Sequence, residues 1–525
     1  MKRLALLPLL LASTALAQAP SPAQMGITQG TPQSLQYLDK NKNWVPVGAL
    51  NDVRQFGAKC DNATDDLAAI NAALAAVKAV YIPSGTCQIN GTINVTQNGS
   101  VIAGAGMAAS NLISASSNLP VIKVAAGLEQ VTLSGFTVDR SVTATSGGDG
   151  LDFTAGGISA RVTAVRARNH WHGFDLGGIA NGQLFQDLAD QNYGDGFHLT
   201  NSTANQAGQW EFIDSSSVFN NGYGISVTAS PNTTMPMLPW IGNNVFANTL
   251  GGAYFTGSST GKTADIQICG GGFSSNGSHN IYLDFVVNNA SVGCGVLVEL
   301  AGQTATGRGA ATPASNTGRG IFATGGVGSL SVGSALIYAN SREGMVSGAF
   351  RTQVTGATVL GNGMAAPGTL HGINIQNTTA GSTGMVTGTT SGNLNGGSSV
   401  QGYGVLIQDG TSATITGNDL CFNAVDPIQL PTNSTSASVQ GNLCAVYQQS
   451  GIGNIAAASF NKVITHGMTK PPTQVIVAAN SPPGVAPNEV GIWADTFTST
   501  TFTVHLTNST TTGVNFSWVA KVFNY

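Results

Sequence analysis

A repeated pattern, in which a glycine is followed by an apolar, a variable and an apolar residue, constrains the fold more than any other feature of the sequence. Five copies are GDGLDF (148–153), HGFDL (172–176), GDGFHL (194–199), GYGISV (222–227) and GGAYFT (251–256). Their aligned glycines are Gly150, Gly173, Gly196, Gly224 and Gly252, so the spacing is constant over the first copies and slightly longer over the later ones. A repeat of this kind indicates a chain wound into stacked coils of similar structure.

The repeat predicts a parallel β-helix, an all-β solenoid in which each coil contributes about three short strands. Between the turn residues, short runs alternate apolar and polar positions, as β-strands do. A leucine-rich repeat would require an L-x-x-L-x-L pattern and usually a helix in each repeat, and the sequence has neither. The 69 glycines among 525 residues and the charged content of only 8% favour turns and strands over helices.

A column of asparagines accompanies the glycines. Its members keep the spacing of the glycine repeat: Asn169, Asn192, Asn220, Asn248 and Asn276, then Asn340 and Asn362. A buried turn asparagine can hydrogen-bond to backbone groups and to the asparagines of the adjacent coils. We therefore expect this column to lie inside the solenoid.

The six cysteines form three pairs whose separations in sequence approximate one coil. The pairs are Cys60 with Cys87, Cys269 with Cys294, and Cys421 with Cys444. Residues one coil apart lie about 4.8 Å from each other, which is within the range of a disulfide. Of the fifteen possible connectivities, sequence proximity and the repeat length favour these three pairs.

The N-terminus has the features of a secretory signal peptide over residues 1–17. A basic pair at Lys2 and Arg3 precedes a short apolar run, and Ala15–Leu16–Ala17 matches an A-x-A cleavage site. The apolar run is too short to span a bilayer, and no other segment is long enough. We expect an exported protein, periplasmic or extracellular, with residues 18–50 forming an N-terminal arm that has a strand candidate near Trp44.

Residues 51–90 resemble the entry motif of the pectate-lyase-like superfamily, D-V-x-x-F-G-A-x-x-D-x-x-x-D-D-x-x-A-I-x-x-A followed by Y-I-P-x-G. The matching residues are Asp52, Val53, Phe56, Gly57, Ala58, Asp61, Asp65, Asp66, Ala69, Ile70 and Ala73, then Tyr81, Ile82, Pro83 and Gly85. With the coils, the resemblance covers about residues 51–450. It implies a right-handed parallel β-helix and polysaccharide-directed chemistry, and several members of the superfamily are trimers, so that a homotrimer is compatible with it.

A helix in this entry segment is expected to cap the open end of the solenoid. Thr64 or Asp65 can N-cap it, and it would run to about Lys78. Residues 451–525 differ in character, with prolines and strand-like runs in place of the repeat, and they predict a small β-sandwich-like module. Such a module can bind glycan, mediate contacts between protomers or cap the solenoid.

Acidic and histidine side chains recur at two outward-facing positions of the repeat. Within glycine–apolar–variable–apolar, the variable residue points outward, and the residue before each glycine forms a parallel column. Three successive coils thus predict a catalytic cluster of six residues: Asp149 and Asp152, His172 and Asp175, and Asp195 and His198. Neighbouring residues are candidates for substrate binding: Arg166, Arg168, His170, Trp171, Tyr223 and Tyr254.

The cluster supports three functions, and the prevalence of paired aspartates favours the first of them, a glycoside hydrolase. Paired carboxylates suit a glycoside hydrolase, and GGDGLDF resembles the catalytic N-T-D-G-x-D strand of polygalacturonases at Asp149 and Asp152. A lyase or C5-epimerase acting on a uronate polymer would use the same residues with nearby arginines. The sequence also resembles the Y-G-x-D-P-H motif of alginate epimerases, at Tyr193, Asp195 and His198. A third alternative is a non-catalytic, tailspike-like protein that binds glycans.

Several other functions are excluded by the sequence. The net charge of −4 argues against a nucleic-acid partner, whose phosphates require clusters of lysine and arginine. No P-loop, dinucleotide-binding fingerprint, zinc spacing or nucleophile elbow is present. We expect no cofactor and no metal site. Calcium is the one ion compatible with the resemblance, because many lyases of this fold use it, although the sequence shows no calcium-binding loop.

Overall fold

The computed structural model describes fifteen stretches of the chain, and every structural statement below concerns these residues. They are 36–38, 44–46, 51–177, 179–201, 209–236, 239–301, 318–376, 381–392, 400–408, 411–430, 437–444, 448–468, 471–480, 491–508 and 513–521. Residues 1–51 and 52–525 form two compact units. In the first, Gln36–Leu38 pairs antiparallel with Trp44–Pro46, which includes the expected strand. The predicted signal peptide lies outside the described residues.

The second unit contains a parallel β-helix made of three long sheets, which confirms the predicted fold class. In all three sheets each strand pairs in parallel with its equivalent in the next coil. The first, here called the site sheet, has 13 strands: Ile93–Val95, Ile122–Val124, Leu151–Asp152, Phe174–Gly177, Phe197–Thr200, Tyr223–Thr228, Gly251–Thr256, Ile281–Leu283, Ile321–Ala323, Met345–Ser347, Ile373–Ile375, Tyr403–Ile407 and Asp426–Gln429.

The other two sheets complete each coil. The second sheet has 16 strands: Asn51–Asp52, Ala79–Ile82, Val101–Gly104, Val131–Ser134, Gly157–Thr163, Ile179–Phe185, Trp210–Ile213, Thr234–Pro236, Trp240–Ile241, Lys262–Cys269, Val286–Gly293, Ser329–Gly333, Arg351–Thr355, Thr383–Thr387, Ser412–Thr416 and Ala437–Gln440. The third has 13 strands: Asp61–Asp65, Gly85–Ile89, Ser110–Ser114, Thr137–Arg140, Arg166–Arg168, Leu188–Asp190, Ser216–Val218, Asn244–Phe246, Gly272–Ser274, Leu297–Glu299, Leu336–Tyr338, Thr358–Leu360 and Thr390–Gly392.

The core is a continuous column of apolar side chains inside the coils. It is stabilised by like residues that stack between coils. For example, Phe174 and Phe197 are stacked with ring centroids 4.7 Å apart, and Phe212 packs edge-on against Phe197 at 5.3 Å. Inward and outward positions alternate along each short strand, so the residue between two buried residues of a strand lies on the outer surface.

The asparagine column is internal, as predicted, but its first member differs. The backbone N–H of Asn192 donates to Oδ1 of Asn220 at 3.0 Å, and Nδ2 of Asn192 donates to the same atom at 2.8 Å. The same two bonds join Asn220 to Asn248. The coil before Asn192 contributes His170, whose N–H donates to Oδ1 of Asn192. Asn169, which the spacing assigned to the column, instead donates through Nδ2 to Asp139, so the pattern is displaced by one residue there.

The capping helix, α1, spans Leu67–Val77 and buries Ile70 and Leu74 against the first coils. It starts slightly later than expected, because neither Thr64 nor Asp65 takes the N-cap position, and the hydroxyl of Thr64 donates to Asp61 instead. Asp65 accepts from the N–H groups of Leu67 and Asn90. Asp66, at the N-cap position, accepts instead from the N–H groups of Lys59 and Cys60. A short 3₁₀ helix at Val53–Phe56 precedes this segment.

All three predicted disulfides are confirmed: Cys60–Cys87, Cys269–Cys294 and Cys421–Cys444. In the last two, the Cα atoms lie 4.9 and 5.1 Å apart, which is the separation of adjacent coils. These bonds therefore join neighbouring turns of the solenoid.

Residues 448–521 form two antiparallel three-stranded sheets with a hydrophobic cluster of their own. One sheet consists of Gln448–Ile455, Val514–Lys521 and Gln474–Ala479; the other consists of Asn461–Thr465, Thr501–Leu506 and Ile492–Asp495. Phe502, Phe516 and Trp518 lie in the cluster between them. Among the described residues of the whole chain, no helix is long and apolar enough to cross a membrane.

Candidate functional site

The acids and histidines predicted from the repeat form one cluster on the outer face of the site sheet. Strand register aligns Asp152 with Asp175, and Asp175 with His198. The turn before each of these strands carries the second column of Asp149, His172 and Asp195. These six residues are called the acid–histidine cluster below. They lie together because Leu151, Phe174 and Phe197 occupy equivalent inward positions in three successive coils.

Asp149 is the most perturbed acid of the cluster. Its side chain is almost completely buried, at 5% exposure, and its Oδ1 accepts the backbone N–H of His172 at 3.0 Å. Burial, followed by the negative charge of Asp175, raises the pKa of Asp149 to about 7, although the bond from His172 opposes the shift. Near neutral pH this carboxyl group is therefore a proton donor.

His198 and Asp175 form a hydrogen-bonded ion pair, with 2.9 Å between Nδ1 and Oδ1. Burial lowers the pKa of His198. The hydrogen bond and charge of Asp175, together with the charges of Asp195 and Asp149, outweigh that effect, and the net pKa is raised. The net shift favours the protonated ring, which donates Nδ1–H to the carboxylate of Asp175.

His172 is a neutral histidine stacked on the charged one. Its ring lies 4.2 Å from the ring of His198 with an interplanar angle of 12°. Burial, and then the charge of His198, lower the pKa of His172 to about 3. Nδ1 of His172 accepts the backbone N–H of Asp195 at 3.1 Å, which assigns the proton to Nε2. The carboxylate of Asp195 is 3.8 Å from Nδ1, but no ion pair forms because that nitrogen is unprotonated.

Two further acids complete the cluster. Asp195 accepts the backbone N–H of Tyr223 at 2.7 Å; burial raises its pKa, while the charge of His198 and the Tyr223 bond act in the opposite direction. Asp152 accepts from Nζ of Lys123 at 2.8 Å and from both the N–H and the hydroxyl of Thr154. These bonds fix the orientation of both carboxylates.

Lys123 is a site residue that the repeat pattern does not identify. It is aligned with Asp152 in the strand of the preceding coil, so it extends the same outward column. The glycine–apolar–variable–apolar pattern does not mark this coil, because the coil lacks the repeat glycine and the sequence before Ile122 is Asn-Leu-Pro-Val. Continuing the outward column back from Asp152 by one more coil would have found it.

Tyr223 and Tyr254, predicted as an aromatic surface for sugars, are joined by a third tyrosine. Tyr254 lies stacked between Tyr223 and Tyr282, with ring centroids 4.3 and 4.6 Å away. These three residues, the tyrosine ladder, line a cleft of about 230 Å³ together with Ala253, Ser278 and His279. Because Tyr223 and Tyr282 cover both faces of the Tyr254 ring, the ladder presents ring edges and hydroxyl groups to a ligand. Burial, then neighbouring tyrosines and acids, raise the pKa of Tyr223 to about 12, so its hydroxyl remains protonated.

Three of the residues predicted to bind substrate do not meet the cluster as expected. His170 is completely buried and takes an asparagine position in the internal column, so it cannot contact a substrate. Arg166 and Arg168 belong to the third sheet, where they form ion pairs with Asp190 at 2.5 Å and Asp139 at 2.6 Å. The charge of each arginine is thus paired within the protein, and its role in binding an anionic sugar stays a prediction.

Trp171 remains close to the cluster, with its ring edge-on to His172 at 5.8 Å. It is partly exposed, and it covers one side of the buried imidazole. Its position agrees with a role in shaping the mouth of the site.

The cluster does not fit calcium. Calcium takes six to eight oxygen ligands, whereas the carboxylates here already accept bonds from Lys123, His198 or backbone N–H groups. Two groups of potential metal ligands occur in the described part of the chain. Cys60 and Cys87 of one group are joined as a disulfide. The other, His172, Asp195 and His198, includes a histidine already paired with Asp175, and no step below is assigned to a metal.

The comparisons agree with this architecture. A family model described as "Rhamnogalacturonase A/epimerase, pectate lyase-like" matches residues 50–296. The N-terminal fragment of gene product 12 of bacteriophage phi29 is 16% identical, with a TM-score of 0.52, over 75% of this chain and 71% of that fragment. The A-module of the Azotobacter vinelandii mannuronan C-5 epimerase AlgE6 is 19% identical, with a TM-score of 0.49, over 75% of this chain and 98% of that module. No curated protein matches the chain.

Proposed function

Because residues 50–296 belong to the pectate-lyase-like superfamily, we propose that the protein is an enzyme acting on a polysaccharide, with the acid–histidine cluster as its catalytic centre. The observation that carries the proposal is Asp149, a buried carboxyl group with a pKa raised to about 7. Enzymes place such a group where a proton must be donated to a reacting oxygen. It lies next to a carboxylate, Asp175, that is held by a histidine.

Glycoside hydrolysis is the first candidate reaction. Asp149 would donate its proton to the glycosidic oxygen as the bond from the anomeric carbon to that oxygen breaks. A second carboxylate, Asp175, would take a proton from the water molecule whose oxygen joins the anomeric carbon, or would attack that carbon first as a nucleophile. His198 would hold Asp175 in its ionised form and fix its direction through the bond to Nδ1.

C5-epimerisation or β-elimination of a uronate is the second candidate, and Lys123 and His198 favour it. Both reactions begin with transfer of the C5 proton to a base, for which a carboxylate of the cluster is available, and cations beside the uronate carboxylate stabilise the developing negative charge. Lys123, whose side chain is 45% exposed, and His198, whose protonation Asp175 favours, lie beside the carboxylates of Asp152 and Asp175. A non-catalytic glycan-binding protein, the third candidate, would use the tyrosine ladder alone.

One set of assays separates these candidates. Neutral and acidic polysaccharides are incubated with the protein, and three products are followed: new reducing ends, the ultraviolet absorbance of an unsaturated uronate, and deuterium at C5 after reaction in heavy water. Reducing ends alone support hydrolysis, absorbance supports elimination, and C5 deuterium without cleavage supports epimerisation. If a glycan binds but none of the three products forms, the enzymatic proposal is wrong.

Asp149→Asn is the variant that tests the site, and Glu129→Gln is its matched control. Asp149→Asn keeps the oxygen that accepts the His172 N–H but removes the transferable proton. Glu129 is an exposed acid outside the cluster, so its substitution removes a carboxylate without touching the site. Unchanged activity of the Asp149 variant would exclude the cluster as the catalytic centre.

Export and self-association are further parts of the proposal. The three disulfides support maturation in an oxidising compartment, and the mature N-terminus of secreted protein would show cleavage after Ala17. A homotrimer is supported by exposed apolar side chains of the C-terminal module, among them Ile452, Ile476 and Trp493. The oligomeric state of the full chain is measured by sedimentation, with Ile452→Lys as the variant expected to disrupt a trimer. A wild-type monomer at micromolar concentration would exclude the trimer.

A further inference from the structure

A second polar cluster lies on the site sheet, in the coils that follow the tyrosine ladder. The turn column that begins with Asp149, His172 and Asp195 continues through His279 to Arg319 and Glu343, each two residues before an inward-facing residue of its strand. Arg342 precedes Glu343. Arg319, Arg342 and Glu343 are called the arginine cluster below. The coil register brings Arg319 to the other two, because 24 residues separate it from Glu343 in the sequence.

Among the residues that the structure describes, the arginine cluster carries a net positive charge. Nε of Arg319 lies 3.0 Å, and Nε of Arg342 3.6 Å, from the same carboxylate oxygen of Glu343, which is buried. Two guanidinium groups therefore share one carboxylate. The adjacent histidines add no charge: burial, then the charges of both arginines, lower the pKa of His279 to about 3, and burial lowers the pKa of His371.

Arg319 is held in place but retains free donors. Its guanidinium lies 4.7 Å above the ring of Phe322, a cation–π contact that fixes its plane. Its backbone N–H donates to Nδ1 of His279 at 3.2 Å. Only Nε of its side chain is bonded to Glu343. Within the described stretches, the two terminal nitrogens have no hydrogen-bond partner, and they are the pair of donors that matches a carboxylate.

We propose that Arg319 and Arg342 form a distal subsite that binds the carboxylate of an acidic sugar in a polysaccharide lying along the site sheet. This inference rests on the proposed function and deepens it, because it assigns an anionic polymer as substrate. The register from His198 runs through Ser226, Tyr254 and Tyr282 to Phe322, which is four coil steps. At about 4.8 Å a step, the two ends are about 19 Å apart, so only an oligomer of several sugars reaches both.

The tyrosine ladder connects the two ends. Its ring edges and hydroxyl groups, of which those of Tyr223 and Tyr282 have pKa values raised to about 12, suit the hydroxyl groups of intermediate sugars, which need hydrogen bonds but no charge. Specificity for acidic residues would then be set at the distal subsite, where a bidentate guanidinium–carboxylate contact is available. A neutral polymer would leave the arginine charge without a partner.

The test measures binding of acidic oligosaccharides of increasing length to Arg319→Gln and Arg342→Gln, each in an Asp149→Asn background so that no turnover occurs. Removing one charged contact is expected to weaken binding of the long oligomers about tenfold, while oligomers too short to span the ladder bind as before. Arg351→Gln is the matched control, because Arg351 is exposed on the second sheet. Thermal melting verifies that each variant is folded, and Arg319→Lys should restore part of the affinity.

The outcomes separate the subsite from the reaction. The subsite is wrong if long acidic oligomers bind equally well to Arg319→Gln and to the protein with Arg319 intact, or if neutral oligomers bind as tightly as acidic ones. If acidic oligomers bind in an Arg319-dependent manner but the wild-type protein converts none of them, the proposed enzymatic function is wrong and the subsite stands.

Discussion

At the scale of single residues, the acid–histidine cluster assigns different protonation states to chemically identical side chains. The pKa of Asp149 is raised to about 7 because the carboxyl group is buried beside another carboxylate. His172 and His198 are stacked, yet the pKa of His172 is lowered and that of His198 is raised, because His198 bonds to Asp175 whereas Nδ1 of His172 accepts a backbone N–H. Burial is the main cause of the lowered pKa of His172, and the charge of a protonated His198 ring, which would repel a second cation at this distance, adds to it.

The proton on Asp149 predicts both activity and stability as functions of pH. If it is the general acid, activity should decline as pH rises through about 7, and Asp149→Asn should lose about 10²-fold or more of the rate. The folded pKa is raised above the ordinary value of 3.8, so the stability present below 3.8 is progressively lost as pH rises to about 7. Asp149→Asn should therefore be more stable than wild type at pH 8, as measured by chemical denaturation. A variant that is inactive and also destabilised at pH 8 would contradict this account.

The His198–Asp175 pair gives a second prediction. Asp175→Asn removes the hydrogen-bonded charge that raises the pKa of His198, so burial should dominate and lower that pKa below its ordinary value. The measurement is the pH titration of the imidazole resonances by NMR in wild type and variant. The Glu129→Gln variant, which removes an exposed acid outside the cluster and keeps Asp175, serves as the matched control. An unaltered His198 titration would exclude the ion pair.

At the scale of elements, the turns between strands are stabilised by side chains that replace backbone partners. Within the internal column, Oδ1 of Asn248 accepts the N–H of Asn220 from the preceding coil, and Nδ2 of Asn248 donates to Asn276 in the following coil. Four residues after Asn192, Asn220 and Asn248, a glycine stands at the start of the site-sheet strand of that coil. At Gly196, an added Cβ would lie 2.0 Å from Oγ of Ser217, so this close approach explains why the repeat is marked by glycine.

Loss of one asparagine of the internal column should be costly. Asn220→Ala removes bonds to Asn192, Asn248, the Ala189 carbonyl and Ser217, leaving several buried polar groups without partners. The expected loss is about 2–4 kcal/mol of unfolding free energy, measured by urea denaturation. Asn94→Ala, at an exposed position, is the control and should change stability by less than about 0.5 kcal/mol. Equal effects of the two substitutions would show that the column contributes no stability.

At the scale of the whole molecule, the solenoid turns a short sequence repeat into a long functional surface. Residues far apart in the chain, such as Asp149 and Arg319, become parts of one row because each coil adds a constant step. The disulfide between Cys269 and Cys294 joins the coil that carries Tyr254 to the coil that carries Tyr282, between the two ends of that row. The continuity of the surface depends on the coils remaining in register.

The middle disulfide should stabilise the solenoid without affecting the chemistry. Replacing both Cys269 and Cys294 by serine opens a loop of 25 residues, and the loop-closure model predicts a loss of about 3 kcal/mol. Cys269 ends one strand of the second sheet and Cys294 directly follows the next one, so both lie away from the site sheet. The melting temperature should fall while turnover at low temperature stays unchanged; loss of turnover in a folded variant would indicate that the bond also positions the site.

Much of the site was predictable, because the repeat identifies both outward columns. The six members of the acid–histidine cluster lie where the glycine alignment predicted them. The same alignment extends further along the chain: GRGIFAT, EGMVSG and HGINIQ belong to it, and the residue before each repeat glycine is Arg319, Glu343 or His371. The predicted surface position of His170 was wrong, because the internal column is displaced by one residue in that turn and His170 lies in the interior.

By itself, the sequence determined the fold, the three disulfides and the face that carries the acids and histidines. Glycine spacing, cysteine spacing and the alternation along strands are local or periodic properties, and a periodic chain has a regular register. Only the tertiary structure decided which residues are charged, neutral or compensated. Burial, ring stacking and the pairing of Arg166 with Asp190 or His198 with Asp175 depend on distances between coils. Electrostatic energies depend steeply on such distances and on the surrounding dielectric, and neither is encoded in the spacing of the repeat.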